Sequence, residues 1–565
     1  MGGLLELIGP EKFKDLANES LALLQKEGII QRIWDKDHTV WKPEPTEIVN
    51  RLGWLECPRD MIDQVAEIEY FTRQVRDAGF THAILLGMGG SSLAPEVFRK
   101  VFGVSDGYLD LTVLDSTHPD KINEIRNSVN PEKTLFIVST KSGGTIETLS
   151  FMKYFFKYMT DALGQEKAGD HFVAITDPGS KLEEIAGDLK FRKTFLNDPN
   201  IGGRFAALSF FGLVPASLLG VDLSILLDRA LVMSDLCTLD EDNPGAWLGV
   251  VMGELAENGR DKLTFILSEE LAPFGAWAEQ LIAESTGKDG KGILPVVYED
   301  LLAPDYYSLD RFFIHIKISG DDAFDDHIEA LVKAGHPVGR IELNDIYDLG
   351  GEFFRWEMAT AVAGWRMGIH PFNQPNVESA KVLAREKIQA YDRDGSLPVI
   401  KPDLSDGDIE VYGEVFVDNA TATLAGFLDS ANTNGVYVAI HAYLKPSRET
   451  DAALGDLRSR IQEKYRMAVT VNYGPRFLHS TGQLHKGDGG NGVFIIFTDE
   501  PEDEAIIPDS TIGEESKVSF GVLIASQAMG DRQALLNSRR RVIRFHFKSD
   551  ISGCFKRLAK ALRQD

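Results

Sequence analysis

The sequence predicts an α/β protein in which two doubly wound parallel-sheet modules are followed by a C-terminal α/β domain. Three features carry that reading. Short apolar runs with the composition of buried strands alternate with helical stretches twice over, across 78–225 and again across 226–396. Two strands of the first set run into turns rich in glycine and hydroxyls that open helices, as at the ligand-binding strand ends of a doubly wound sheet. At 565 residues the chain is also too long for one ordinary core.

In chain order, residues 1–77 read as a helical N-terminal extension. Strands at 82–86, 111–114, 134–138 and 172–176 then alternate with helices, which gives a parallel sheet covered on both faces. The second module has strand-like runs at 263–267, 293–297, 312–318 and 338–342, and a long helix over 351–367. Prolines, acids and a glycine mark 398–408 as a linker. Beyond it, runs at 436–441, 467–471, 492–497 and 542–547 flank helical segments in an α/β domain over 409–565. The cluster Arg539-Arg540-Arg541 reads as a solvated helix end.

Composition narrows the class. A hydrophobic fraction of 43% with 26% charged residues is that of a globular protein. A net charge of −27 lacks the basic footprint that nucleic-acid binding needs. The most apolar stretch, 205–233, is broken by Asp222, Asp228 and Arg229, so no membrane span is expected. Cys57, Cys237 and Cys554 are far apart and odd in number, which offers neither a disulfide framework nor a zinc spacing. The start, Met1-Gly-Gly-Leu-Leu-Glu, lacks the order of a signal peptide, and a cytoplasmic setting is expected.

The first chemical motif is Thr140-Lys141-Ser142-Gly143-Gly144-Thr145. It follows the apolar run 134–139 and precedes an amphipathic helical stretch. Backbone N–H groups, a helix N-terminus and the hydroxyls of Ser139, Thr140, Ser142 and Thr145 converge there, which makes an anion cradle. Upstream, the strand at 82–86 runs into Gly87-Met-Gly89-Gly90-Ser91-Ser92. Ser92 stands where a dinucleotide fingerprint needs its third small glycine-like residue. Two adjacent hydroxyl-lined turns therefore point to one mono-phosphorylated small molecule rather than a nicotinamide cofactor.

Five ordered motifs resemble the glucose-6-phosphate isomerase family: Gly87-Met-Gly-Gly-Ser91, Thr140 to Thr148, Gly202-Gly203-Arg204-Phe205, Gln280-x3-Glu284-Ser-Thr-Gly-Lys288, and Pro371-Phe-Asn-Gln374-Pro-Asn-Val-Glu-Ser-Ala-Lys381. The resemblance runs over about residues 80 to 385 and implies two sugar-isomerase modules. It is nearest to the isomerase half of fused transaldolase/glucose-6-phosphate isomerases, and extends to Trp34–Trp41 and to 474–486. No transaldolase barrel is expected within these 565 residues. The resemblance further implies a sugar-phosphate substrate and a homodimer with sites at the interface.

Aldose–ketose isomerisation through an enediolate needs a base near C1 and C2 and positive charge on the developing oxyanion, and no metal or redox cofactor. Gln280 and Glu284 are four apart and share a helix face, with Gly287 ending that helix. By resemblance Glu284 is the base, Arg204 stabilises the enediolate, Lys381 assists ring opening and Gln374 contacts substrate. Gly89, Gly90, Ser91, Thr140, Lys141, Ser142, Thr145 and Gln280 complete the binding set, with Lys141 lending its charge to the phosphate. Three positions depart from the family pattern: Ala206 stands for a hydroxyl, Asn376 for a small residue and His370 for an Asn or Asp. The ring-opening histidine has no matching motif between Glu284 and Gly351, where His315, His327 and His336 lie, and His370 reads as cap-like or exposed. His479-x5-His485-x-Gly487 loosely resembles the family's histidine segment, so His479 is the first candidate and His485 the second. Two other readings remain open, a dual phosphoglucose/phosphomannose isomerase and a non-catalytic sugar-phosphate sensor.

Overall fold

The structure, a computed structural model, describes residues 5–510 and 515–562. In the first sheet the strands lie in the order Asp110–Leu114, His82–Gly87, Thr134–Ser139, Phe172–Thr176, Lys193–Leu196, all parallel. The chain goes from His82–Gly87 outward on one side, then crosses back to Thr134–Ser139 on the other. The switch point thus falls between these two strands, whose ends stand in register as Gly87 opposite Ser139. Both hydroxyl turns open from that one place. Lys193–Leu196 was not among the expected strands; it is an edge strand with no long apolar run.

The second sheet runs Leu5–Ile8, Val338–Leu343, Arg311–Ile318, Lys262–Leu267, Leu294–Val296, parallel except for the first strand. Leu5–Ile8 is a correction to the all-helical extension: four residues are too short to show a period, and their pairing partner is more than three hundred residues away. Behind this sheet the helix Leu349–Met367 is buried almost all round. It approaches its neighbours so closely that a Cβ on Gly249 would lie 2.4 Å from the Ala359 carbonyl oxygen.

The third sheet orders Leu404–Asp406, Ile409–Tyr412, Arg541–Phe547, Gly492–Asp499, Tyr437–Tyr443 and Ala468–Tyr473. Its last four strands are parallel and its first two pair antiparallel. Part of the expected linker is therefore an edge strand, whose alternation is too brief to outweigh the turn residues around it. Arg540 is a second correction. Its side chain is buried, pairs with Asp488 at 2.8 Å and donates to the His485 carbonyl at 3.0 Å, while Arg541 opens a strand and donates to the Ser430 carbonyl at 2.8 Å, so only Arg539 keeps the character of a solvated end.

This domain is not an appendage. Its helix Phe520–Asn537 packs against Glu378–Asp394, where a Cβ on Gly530 would meet the Ala384 nitrogen at 2.7 Å. The helix that carries Lys381 is thus braced from the C-terminal side. The segment 474–487 crosses from the third sheet to the ends of the first two.

Candidate active site

With the exception of His485, the catalytic and binding candidates line one cleft of about 330 Å³ where the three sheets meet: Gly89, Gly90, Ser91, Thr140, Lys141, Ser142, Thr145, Arg204, Gln280, Glu284, Gln374, Lys381 and His479. Arg51, Asp177 and Phe372 also line it.

The floor is backbone against backbone. Gly89 has φ +57°, and a Cβ there would lie 2.7 Å from the His479 carbonyl oxygen; on Gly90 it would lie 2.0 Å from that of Gly203. Only glycine fits either contact, which explains the first motif without giving these residues any chemistry of their own. The Ser92 hydroxyl turns back onto the Gly89 carbonyl at 3.1 Å and holds the turn closed.

The second turn opens the helix Ile146–Leu163 at Thr145, which makes no side-chain cap bond. Its hydroxyl lies 3.0 Å from that of Thr140, and the Ser142 hydroxyl accepts from the Gly144 N–H at 3.3 Å. Lys141 differs from the expectation. Its ammonium is paired with Asp177 and donates to the Pro199 carbonyl at 2.9 Å, so its charge is already matched. The Lys381 ammonium lines the same cleft with no hydrogen-bond or ion-pair partner among the described residues.

Glu284 sits on the helix Phe274–Thr286, one turn beyond Gln280. Gln280 Nε2 donates to its Oε2 at 3.0 Å and to the His479 carbonyl at 2.7 Å, while Gln280 Oε1 is buried without a partner. Arg204 Nη1 lies 3.4 Å from Glu284 Oε1. The guanidinium is fixed from all sides: Nε donates to Ser285 Oγ at 2.7 Å, Nη1 to Gln374 Oε1 at 3.1 Å, and Nη2 to the Pro371 and Asn373 carbonyls at 2.6 and 3.1 Å. Ser285 supplies a hydroxyl partner, so Ala206 leaves none of these donors stranded. Burial pushes the Arg204 guanidinium down and the Glu284 charge partly offsets this. Phe372 meets Trp41 edge-on at 4.9 Å, and Trp41 Nε1 donates to the Ala361 carbonyl, which ties the N-terminal segment to the cleft wall.

His479 enters from the third domain. Its Nε2 lies 3.0 Å from Glu147 Oε1, which also accepts from Gln527 Nε2 at 2.7 Å. Burial raises the Glu147 carboxyl, but the charge and hydrogen bond of His479, with Lys381 beyond, outweigh it and hold the group below its usual range. Glu147 is therefore an anion that orients the ring. It stands inside the Thr140–Thr148 motif, where only its distance from any other motif hid its role.

The remaining histidines fall away from the cleft. His485 is wholly buried, with Nδ1 3.1 Å from His441 Nε2, and His441 in turn reaches Asp531 at 3.1 Å. Burial holds His315 and His336 down at about 4. His370 is cap-like rather than exposed: its Nδ1 accepts from the Phe372 N–H at 3.1 Å and burial keeps it at about 4.

A family model described as phosphoglucose isomerase matches residues 55–292. The glucose-6-phosphate isomerase of Rubrobacter xylanophilus is 29% identical over 389 residues, covering 60% of this chain and 89% of that protein. That of Cyanothece sp. is 33% identical over 260 residues, covering 42% and 49%. Among solved structures, a hypothetical protein from Thermus thermophilus is similar at TM-score 0.57 and 26% identity, covering 68% of this chain and all 100% of that one. A glucose-6-phosphate isomerase from Chlamydia trachomatis shares the fold at TM-score 0.56 and 18% identity, with coverage of 68% and 87%. Residues 55–292 thus match the phosphoglucose isomerase family, and the five motifs gather on one cleft of this fold.

Proposed function

We propose that this chain interconverts glucose 6-phosphate and fructose 6-phosphate through an enediolate, with Glu284 as the base. The observation that carries the reading is one carboxylate, Glu284, held between Gln280 and the buried Arg204 in the same cleft as the hydroxyl turn after Thr134–Ser139. In this reading the phosphate rests on that turn, against Ser91, Thr140, Ser142 and Thr145. His479, aligned by Glu147, and the unpaired Lys381 assist ring opening. Glu284 then takes the proton from C2 and returns it to C1, and the C2 and C1 oxygens share the charge of the enediolate. Arg204 is already immobilised before that charge forms, so it stabilises the transition state without reorganising, an effect of about 3 kcal/mol for a well-placed donor. The unpartnered Gln280 Oε1 offers an acceptor to a substrate hydroxyl.

A coupled assay of fructose 6-phosphate to glucose 6-phosphate without added metal tests the proposal. Absence of turnover defeats it, and the same assay begun from mannose 6-phosphate separates a dual-specificity enzyme. We carry over the homodimer and the cytoplasmic setting as part of this reading. No described helix is long and apolar enough to cross a membrane. The named cleft residues, His479 included, belong to this one chain. Sedimentation and activity measured at the same dilution test the homodimer: an active monomer would remove it.

A further inference from the structure

We infer that Gln483 is a positioning residue of this reaction, whose single carboxamide locks the end of the helix carrying Glu284 to the start of the helix carrying Lys381. The inference rests on the isomerase reading of the cleft. Gln483 is 1% exposed and sits on the short helix Gly482–Gly487, four residues after His479. Its Nε2 donates to the Gly287 carbonyl at 2.8 Å and to Asn376 Oδ1 at 2.7 Å. Its Oε1 accepts from the N–H groups of Asn376 and Val377 at 2.8 and 3.3 Å. These bonds use both amide hydrogens and both lone pairs. They also decide which end of the amide is which, since a carbonyl lies on one side and two N–H donors on the other.

The groups it joins are the two helix ends that matter. Gly287 caps the C-terminus of Phe274–Thr286, three residues beyond Glu284. Val377 caps the N-terminus of Glu378–Asp394, four residues before Lys381. Backbones around the junction leave no slack: a Cβ on Gly287 would lie 2.2 Å from Leu484 Cα, and one on Gly487 would lie 2.3 Å from the Gly287 carbonyl oxygen. The Gly290 N–H donates to the Gly487 carbonyl at 3.0 Å. Asn376, one of the three departures from the family pattern, is the residue whose side chain and backbone Gln483 grips. The phosphate turn, by contrast, belongs to the first sheet and makes no hydrogen bond with Gln483.

Gln483→Met keeps the volume and removes all of these bonds. Because loosening a base by about 1 Å can cost up to 10²-fold, its kcat for fructose 6-phosphate should fall about 10- to 100-fold. Inhibition by inorganic phosphate should stay within about twofold of wild type, since ground-state phosphate binding is untouched. Gln483→Glu keeps an acceptor for the two N–H groups but faces the Gly287 carbonyl with an oxygen that must be protonated to donate. Its kcat relative to wild type should therefore climb as pH falls, while that of Gln483→Met stays flat. A residue that only stabilises the fold lowers kcat with the folded fraction and gives flat ratios for both variants. Flat ratios for both, a Gln483→Met kcat within about twofold of wild type, or phosphate inhibition weakening in step with kcat would each overturn the inference. If Gln483→Met does not fold, Asn376→Ala removes one bond to the amide: a smaller fall in kcat at constant phosphate inhibition supports the inference, and unchanged kcat overturns it. Failure of the wild-type protein to turn over is a separate outcome that removes the isomerase reading itself.

Discussion

Replacing Glu284 by glutamine should do more than delete a proton acceptor, because both carboxylate oxygens face donors. Gln280 Nε2 donates to Oε2 at 3.0 Å and Arg204 Nη1 approaches Oε1 at 3.4 Å. An amide has one oxygen and one NH2, so whichever way it turns it presents N–H groups to a donor. One favourable interaction disappears, at about 1–3 kcal/mol for hydrogen bonds of this kind. Loss of the base itself removes about 10²–10⁴ in rate, or roughly 3–5 kcal/mol of barrier lowering. The rest of the Arg204 cage, through Ser285, Pro371 and Asn373, stays intact, so the thermal melt should move little. The assay is kcat and KM for fructose 6-phosphate with a coupled dehydrogenase, beside loss of deuterium to solvent from C2-deuterated glucose 6-phosphate. We expect both rates to fall by at least about 10² with a minor change in inorganic-phosphate inhibition. A variant within about tenfold of wild type in both would falsify the assignment, because some other group would then be removing the proton.

Replacing Ser142 and Thr145 together by alanine should raise KM chiefly, by about 1–3 kcal/mol for each phosphate hydrogen bond removed, and should weaken inorganic-phosphate inhibition equally; unchanged values for both place the phosphate elsewhere. His479→Ala should slow turnover of the cyclic substrate while C2 proton exchange in an open-chain analogue stays comparatively fast, and equal loss on both substrates discards its ring-opening role. Glu279, 4% exposed beside Asn472, is raised from 4.5 to about 7 by burial, which the Asn472 hydrogen bond and Arg476 only partly oppose. Its folded value lies above its unfolded one, so the neutral form is favoured in the fold: the stability it contributes is full below about pH 4.5 and is lost as pH rises through 7. Glu279→Gln should consequently raise the melting temperature more at pH 8 than at pH 5, with an upper bound of about 3 kcal/mol at the higher pH, and an equal change at both would refute the reasoning.

The parts of this protein legible in its sequence are those whose causes are local. A buried parallel strand announces itself by an unbroken apolar run, and the strands His82–Gly87, Thr134–Ser139 and Arg311–Ile318 lie where such runs stand. Glycine and hydroxyl turns declare helix starts, and a carboxylate one turn from a glutamine declares a shared face. Elements whose form comes from a distant partner were not legible in this way: Leu5–Ile8 is a strand because Val338–Leu343 offers it an edge, and Ile409–Tyr412 because Arg541–Phe547 does.

The same division runs through the cleft. Residue types and spacing nominated Glu284, Arg204 and Lys381, but no spacing states that their motifs meet. Nor could it show that Lys141 is neutralised by Asp177 while Lys381 has no such partner among the described residues. The choice between His479 and His485 is the clearest case. They are six residues apart in one segment, yet a short helix turns one ring toward Glu147 in the cleft and the other into the buried pair with His441. That outcome, like the grip of Gln483 on two helix ends, depends on contacts between residues 44 to 332 positions apart. Chain topology creates such contacts, and local sequence chemistry cannot encode them.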